Sequence, residues 1–105
     1  MPNRFHILVV DDEPEQRELI EGFLKKQGFE VIAADSAERA LELFRQDAFD
    51  LILTDQKMAK MSGTELLQAV HAINPETPVI LITAFGTIEA AVANYILTSP
   101  AKTEV

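Results

Sequence analysis

The chain has 105 residues, 48% hydrophobic and 25% charged, which suits one folded domain and leaves little room for a second. Its formal charge of −8, from 17 acidic against 9 basic side chains, repels phosphate backbones and anionic membranes, so neither nucleic acid nor membrane is expected as a direct partner. The lack of cysteine excludes disulfides, thiolate chemistry and cysteine-ligated zinc, and no apolar run approaches the ~20 residues of a membrane span. The N-terminus has no signal-peptide layout, and a cytoplasmic setting is expected.

Short apolar runs alternate with helical-period segments. His6-Ile-Leu-Val-Val10 is too continuous for a half-exposed strand and suits the middle of a parallel sheet. Pro14 marks the first turn of a helix that should bury Leu19, Ile20, Phe23 and Leu24 and end at Gly28. Phe29 to Ala34 reads as a second strand. Asp35 or Ser36 should cap a second helix with Ala37, Ala40, Leu41 and Phe44 on one face. Leu51 to Thr54 is a third strand ending at Asp55. Ser62-Gly-Thr-Glu65 is a capping box opening a third helix, with Leu66, Val70 and Ile73 inward, and Asn74-Pro75 stops it. Val79 to Thr83 is a fourth strand, and Gly86 or Thr87 begins a fourth helix. After Asn94 two readings stand: the helix runs to Leu97, or Tyr95 to Thr98 is a short fifth strand. Strands and helices in this alternation imply right-handed βαβ units and a doubly wound α/β sheet.

Ligands of such sheets sit beyond the carboxyl ends of the strands, where the strand order reverses. Asp11 and Asp12 end the first strand and Asp55 the third. If these strands are neighbours, their terminal side chains share one crevice. Carboxylates ~5 Å apart repel by roughly 3 kcal/mol at an effective dielectric near 20. A hard divalent ion answers this, and an all-oxygen donor set favours magnesium. A carboxylate there can also be a nucleophile that forms an aspartyl-phosphate, and Thr83 offers a hydroxyl to the phosphoryl group. Taken singly, either acidic site can be an ordinary helix cap; together they argue for chemistry. His6 and His71 lack partners at ligand spacing and read as packing or surface residues. Met58 and Met61 should fill a gap beneath the loop after Asp55.

Three segments, Val9-Val-Asp-Asp-Glu13, Asp55-Gln-Lys-Met-Ala-Lys-Met-Ser-Gly63 and Ile82-Thr-Ala-Phe-Gly86, resemble the successive signatures of response-regulator receivers of two-component systems, from about Phe5 to Ala93. Thr83 to Val92 is similar to the NtrC-like subfamily, whose receivers control sigma-54-dependent activators. The resemblance implies a flavodoxin-like (CheY-like) fold with strand order 2-1-3-4(-5). It implies that Asp55 accepts a phosphoryl group from a sensor histidine kinase, and that such a domain assists its own phosphorylation and hydrolysis. Asp12 and Asp55 would bind Mg2+ directly, Asp11 mainly through water, and the Lys57 backbone carbonyl would complete the protein ligands. Thr83 would be the switch hydroxyl, with Ala84 leaving room for it. The output would lie in a missing domain or a partner protein.

The chain departs from the family's pattern in two places. Met58-Ala59 replaces the usual Met-Pro, a minor change. After Ala93 the usual fifth strand ending in Lys-Pro, and the fifth helix, are missing or altered, and Ser99 stands where the phosphate-contacting lysine belongs. Residues 94–105 read as a divergent tail. The departure predicts retained magnesium binding with phosphorylation, switching or both impaired. An uncovered fourth strand also predicts a homodimer or domain-swapped oligomer. The competing reading is a degenerate pseudo-receiver that acts only as an interaction module. A flavodoxin-like nucleotide or flavin binder fits poorly, because no Gly-rich or Ser/Thr-rich phosphate loop follows the first strand.

Overall fold

A computed structural model describes residues 5–82 of the chain. Within them the elements run β1 (His6–Val10), α1 (Pro14–Lys26), β2 (Glu30–Ala34), α2 (Ala37–Gln46), β3 (Leu51–Asp55), α3 (Gly63–Ile73) and β4 (Val79–Ile82). The four strands are all parallel and lie in the order β2-β1-β3-β4. The chain leaves β1 toward one edge to make β2, then returns past β1 to make β3. The order therefore reverses between β1 and β3, where a doubly wound sheet opens its crevice.

Continuous apolar runs become central strands because both faces of the sheet are covered. On one face Leu8, Val10 and Ile52 pack with Ala37, Ala40, Leu41 and Phe44 of α2 and Leu66 and Val70 of α3. On the other, Ile7, Val9, Leu51 and Leu53 pack with Ile20 and Leu24 of α1 and with Ile82. Alternation along β1 and β3 thus divides one apolar run between two cores.

Local chemistry sets the helix ends. Pro14 opens α1, and Gly28, at φ +97°, turns the chain out of it in the left-handed region that glycine tolerates. Ser36, not Asp35, caps α2: its Oγ accepts from the Arg39 N–H at 3.1 Å. At α3 the capping box forms in both directions, with Glu65 N–H donating to Ser62 Oγ at 3.1 Å and Ser62 N–H donating to Glu65 Oε1 at 2.9 Å.

Three expectations need correction. Leu19 is 74% exposed, because it lies about 100° around the helix from Ile20, off the stripe that Ile20 and Leu24 define. Ile73 has the right phase but is 47% exposed. As the last residue of α3 it overhangs the sheet and lines, with Phe44, Phe49 and Asn74, a cavity of about 510 Å³. Phe29 precedes β2, because its N–H still closes the end of α1 on the Leu24 carbonyl at 3.2 Å. Thr83, the fourth helix, both readings of residues 95–98, and Ser99 lie outside the described residues.

Candidate functional site

The register carries three acids to one rim. Val10 pairs with Thr54, so Asp11 and Asp55 each directly follow one member of the last β1–β3 pair. The Asp11 N–H extends the ladder to the Ala34 carbonyl at 3.1 Å, which holds the start of the β1–α1 turn to the sheet. One carboxylate oxygen from each of Asp11, Asp12 and Asp55 falls within 4.8 Å of the others. The three candidate carboxylates that the sequence singled out are therefore together.

They sit in different surroundings. Asp11 is 1% exposed, whereas Asp12 and Asp55 are half-buried. Asp11 Oδ1 accepts the Glu13 N–H at 2.9 Å, but Oδ2 is buried with no hydrogen-bond partner among the described residues. Burial raises the Asp11 pKa above its ordinary value. The Glu13 N–H pulls it down in part, while the negative charges of Asp55, Asp12 and Glu13 push it up again. Arg17 does not offset this directly. It donates from its guanidinium to the Asp11 backbone carbonyl at 2.8 Å, tying α1 to the turn.

The loop after β3 closes over the other two acids. Ala59 N–H donates to Asp12 Oδ2 at 3.0 Å, and Lys57 N–H makes a long bond to Asp55 Oδ1 at 3.4 Å. Proline, with no N–H, could not make the first of these, so the substitution read as minor in the sequence has a structural effect. Beside it a cleft of about 250 Å³ opens between Asp12, the start of α2 and Met58 to Met61. Met58 and Met61 pack against the core beneath α2 and α3.

Sequence reasoning missed two residues here. A Cβ on Gly63 would lie 2.5 Å from the Asp55 carbonyl oxygen and 2.7 Å from Leu81 Cδ2, so only glycine lets α3 start this close to Asp55. Its signal was a glycine in a helical first turn, where it weakens the helix unless something else requires it. Gln56 accepts from Thr64 through its side chain, and no spacing rule announces that contact. The histidines are elsewhere: the ring N–H of His6 donates to the Ala48 carbonyl at 2.9 Å and that of His71 to the Thr77 carbonyl at 2.8 Å.

The sequence and the fold are matched by known proteins. The response regulator receiver domain family matches residues 7–98. The chain belongs to that family. As a receiver, it is 41% identical over 86 residues to the transcriptional regulatory protein ZraR of Escherichia coli (strain K12), and 39% identical over 90 residues to the response regulator protein PilR of Pseudomonas aeruginosa. These matches cover 82% and 86% of the chain but 20% of each relative, so the chain spans about a fifth of the curated relatives' length. In structure it is similar to the chemotaxis protein CheY4 of Vibrio cholerae, with TM-score 0.77 and 29% identity over 84% of this chain and 75% of that one. It is also similar to the response regulator protein TrrA of Thermotoga maritima, solved with Mg(2+)-BeF, with TM-score 0.73 and 33% identity over 86% and 78% of the two chains. The expected receiver fold, with strand order 2-1-3-4 among the described residues, is the observed one. No helix among those residues is long and apolar enough to cross a membrane.

The raised pKa of Asp11 fixes a pH dependence. A carboxyl whose folded pKa exceeds its unfolded one resists ionisation in the fold. In the metal-free receiver the contribution of Asp11 is therefore most favourable below its unfolded pKa and is lost as pH rises through its folded one. In chelator at neutral pH, Asp11→Asn is expected to raise the melting temperature, because it removes the buried charge that burial and the neighbouring carboxylates disfavour. The gain should shrink as the pH is lowered and Asp11 of the parent becomes protonated. A lower melting temperature at neutral pH would contradict this electrostatic account.

Proposed function

We propose that Asp55 accepts a phosphoryl group from the phosphohistidine of a sensor histidine kinase, and that Asp11, Asp12, Asp55 and the Lys57 backbone carbonyl hold Mg2+ for the transfer. The observation that carries this reading is the buried, unpartnered Asp11 Oδ2 inside a cluster of three carboxylates. Oxygens opposed across a magnesium ion lie about 4.2 Å apart, so a spread within 4.8 Å fits one ion with small adjustment. When bound, magnesium supplies neutralisation of the cluster and of the charge on the phosphoryl oxygens.

The chain's own residues supply position. Asp55, ending β3 in register with Ile82, is held by a rigid strand with its carboxylate at the open rim. Its oxygen forms the new bond to phosphorus while the phosphorus–nitrogen bond of the donor breaks, its electron pair returning to the imidazole. The Lys57 N–H holds the Asp55 carboxylate, and the Ala59 N–H holds that of Asp12. Thr83 follows Ile82 in sequence, and its hydroxyl is proposed to meet the phosphoryl group and report the switch. The output belongs to a further domain or partner, in keeping with relatives five times as long. A sigma-54-dependent activator is the proposed kind, acting in the cytoplasm.

The pseudo-receiver reading is favoured by one feature, Ser99 in place of a lysine. Losing a charge-assisted contact of this kind typically costs about 1.5–3 kcal/mol. Exposure of the protein to acetyl phosphate and magnesium, followed by intact mass, separates the two. The expected result is the mass gain of one phosphoryl group, dependent on magnesium and absent in Asp55→Asn, at a rate roughly 10-fold or more below that of a receiver retaining the lysine. No gain, with magnesium binding intact, would favour the pseudo-receiver.

Self-association through the β4 side of the sheet is proposed from the sequence. Light scattering is expected to give a dimer or larger species, and a monomer at high concentration would contradict it.

A further inference from the structure

One residue closes the loop that carries Lys57. Gln56 follows Asp55 directly, and three donors from the start of α3 converge on it. Its backbone carbonyl accepts the Gly63 N–H at 3.0 Å. Its side-chain Oε1 accepts the Thr64 N–H at 2.8 Å and the Thr64 hydroxyl at 3.0 Å. The loop of residues 57–62 therefore leaves and re-enters the fold at a single clamped point. Gly63 makes the clamp possible, since a Cβ there would come within 3.0 Å of Gln56 Cα.

Inside the clamp lies the Lys57 carbonyl, one of the groups assigned to the ion. Lys57 is one peptide from Gln56, and the Ala59 N–H already meets Asp12 Oδ2 across the pocket. Magnesium tolerates little departure from octahedral geometry. A backbone carbonyl on an unclamped loop would have to be ordered when the ion arrives, at the expense of affinity. We propose that Gln56 is a positioning residue for magnesium: by accepting both Thr64 donors, it fixes the Lys57 carbonyl beside Asp55 before the ion binds. This rests on the receiver reading of the pocket given above.

A cap on α3 alone would stabilise the helix without touching metal affinity, and this distinguishes the two roles. Three variants that leave charge unchanged separate them: Gln56→Met removes the acceptor at similar volume, Thr64→Val removes one donor, and Thr64→Ser keeps both. Calorimetric magnesium titration of the full chain is expected to give a dissociation constant about 10-fold weaker for Gln56→Met and about 3-fold weaker for Thr64→Val, as for hydrogen bonds of ordinary strength. Thr64→Ser should match the parent. The Gln56→Met/Thr64→Val double variant should bind no more weakly than Gln56→Met alone. Acetyl phosphate labelling should slow at low magnesium and recover to within about twofold at saturation, since tight binding and not chemistry is lost.

Parent-like magnesium affinity in both Gln56→Met and Thr64→Val, with only the melting temperature lowered, would overturn the proposal and leave Gln56 a helix cap. A parent protein that binds no magnesium would instead overturn the reading of the pocket itself.

Discussion

At the end of β1, a carboxylate oxygen of Asp11 is buried with no described partner, beside two further carboxylates. The register enforces this arrangement. Ile7 through Val10 and Leu51 through Leu53 are almost wholly buried, and each strand sends alternate side chains into different cores. A one-residue slip would exchange those faces all along the strand. Asp11 and Asp55 therefore cannot separate without disrupting both cores, and the like charges are held together by packing rather than by mutual attraction.

The surrounding cations leave the charge largely uncancelled. Arg17 reaches a carbonyl, not a carboxylate. The ion pairs seen among the described residues, Lys25 with Glu21 and Arg39 with Glu42, lie along helices and contribute little at exposed positions. Backbone N–H groups of Glu13, Lys57 and Ala59 give the three acids partial relief while fixing their directions. Such a cluster is electrostatically unfavourable alone, which supports the proposal that a cation occupies it. That combination suits phosphoryl transfer, where placement and charge neutralisation do most of the work.

Much of this was legible in the sequence because it rests on local rules. Apolar runs ending in Asp marked the strand ends, Ser62 and Glu65 marked the start of α3, and alternation of elements implied a parallel sheet. Adjacency of β1 and β3 remained an inference until the register was seen. Leu19 was misread because four apolar residues in one helix looked like a single stripe, though their angular spread exceeds one. Ile73 was misread because phase says nothing about where a helix outruns its sheet. The roles of Gln56 and the Ala59 N–H were invisible, and that of Gly63 only hinted at, for a different reason: each acts through a close approach between segments that only the tertiary fold brings together.

The central claim is that the acidic rim carries an unfavourable charge which one divalent ion relieves. Thermal unfolding across a magnesium titration tests it most directly. Magnesium at a hundredfold excess over its dissociation constant should stabilise the fold by about 2.7 kcal/mol. The rise in melting temperature should follow a one-site curve and vanish when Asp11, Asp12 and Asp55 are all changed to Asn. An unchanged melting temperature in the parent protein, or an equal rise in the triple variant, would contradict the account.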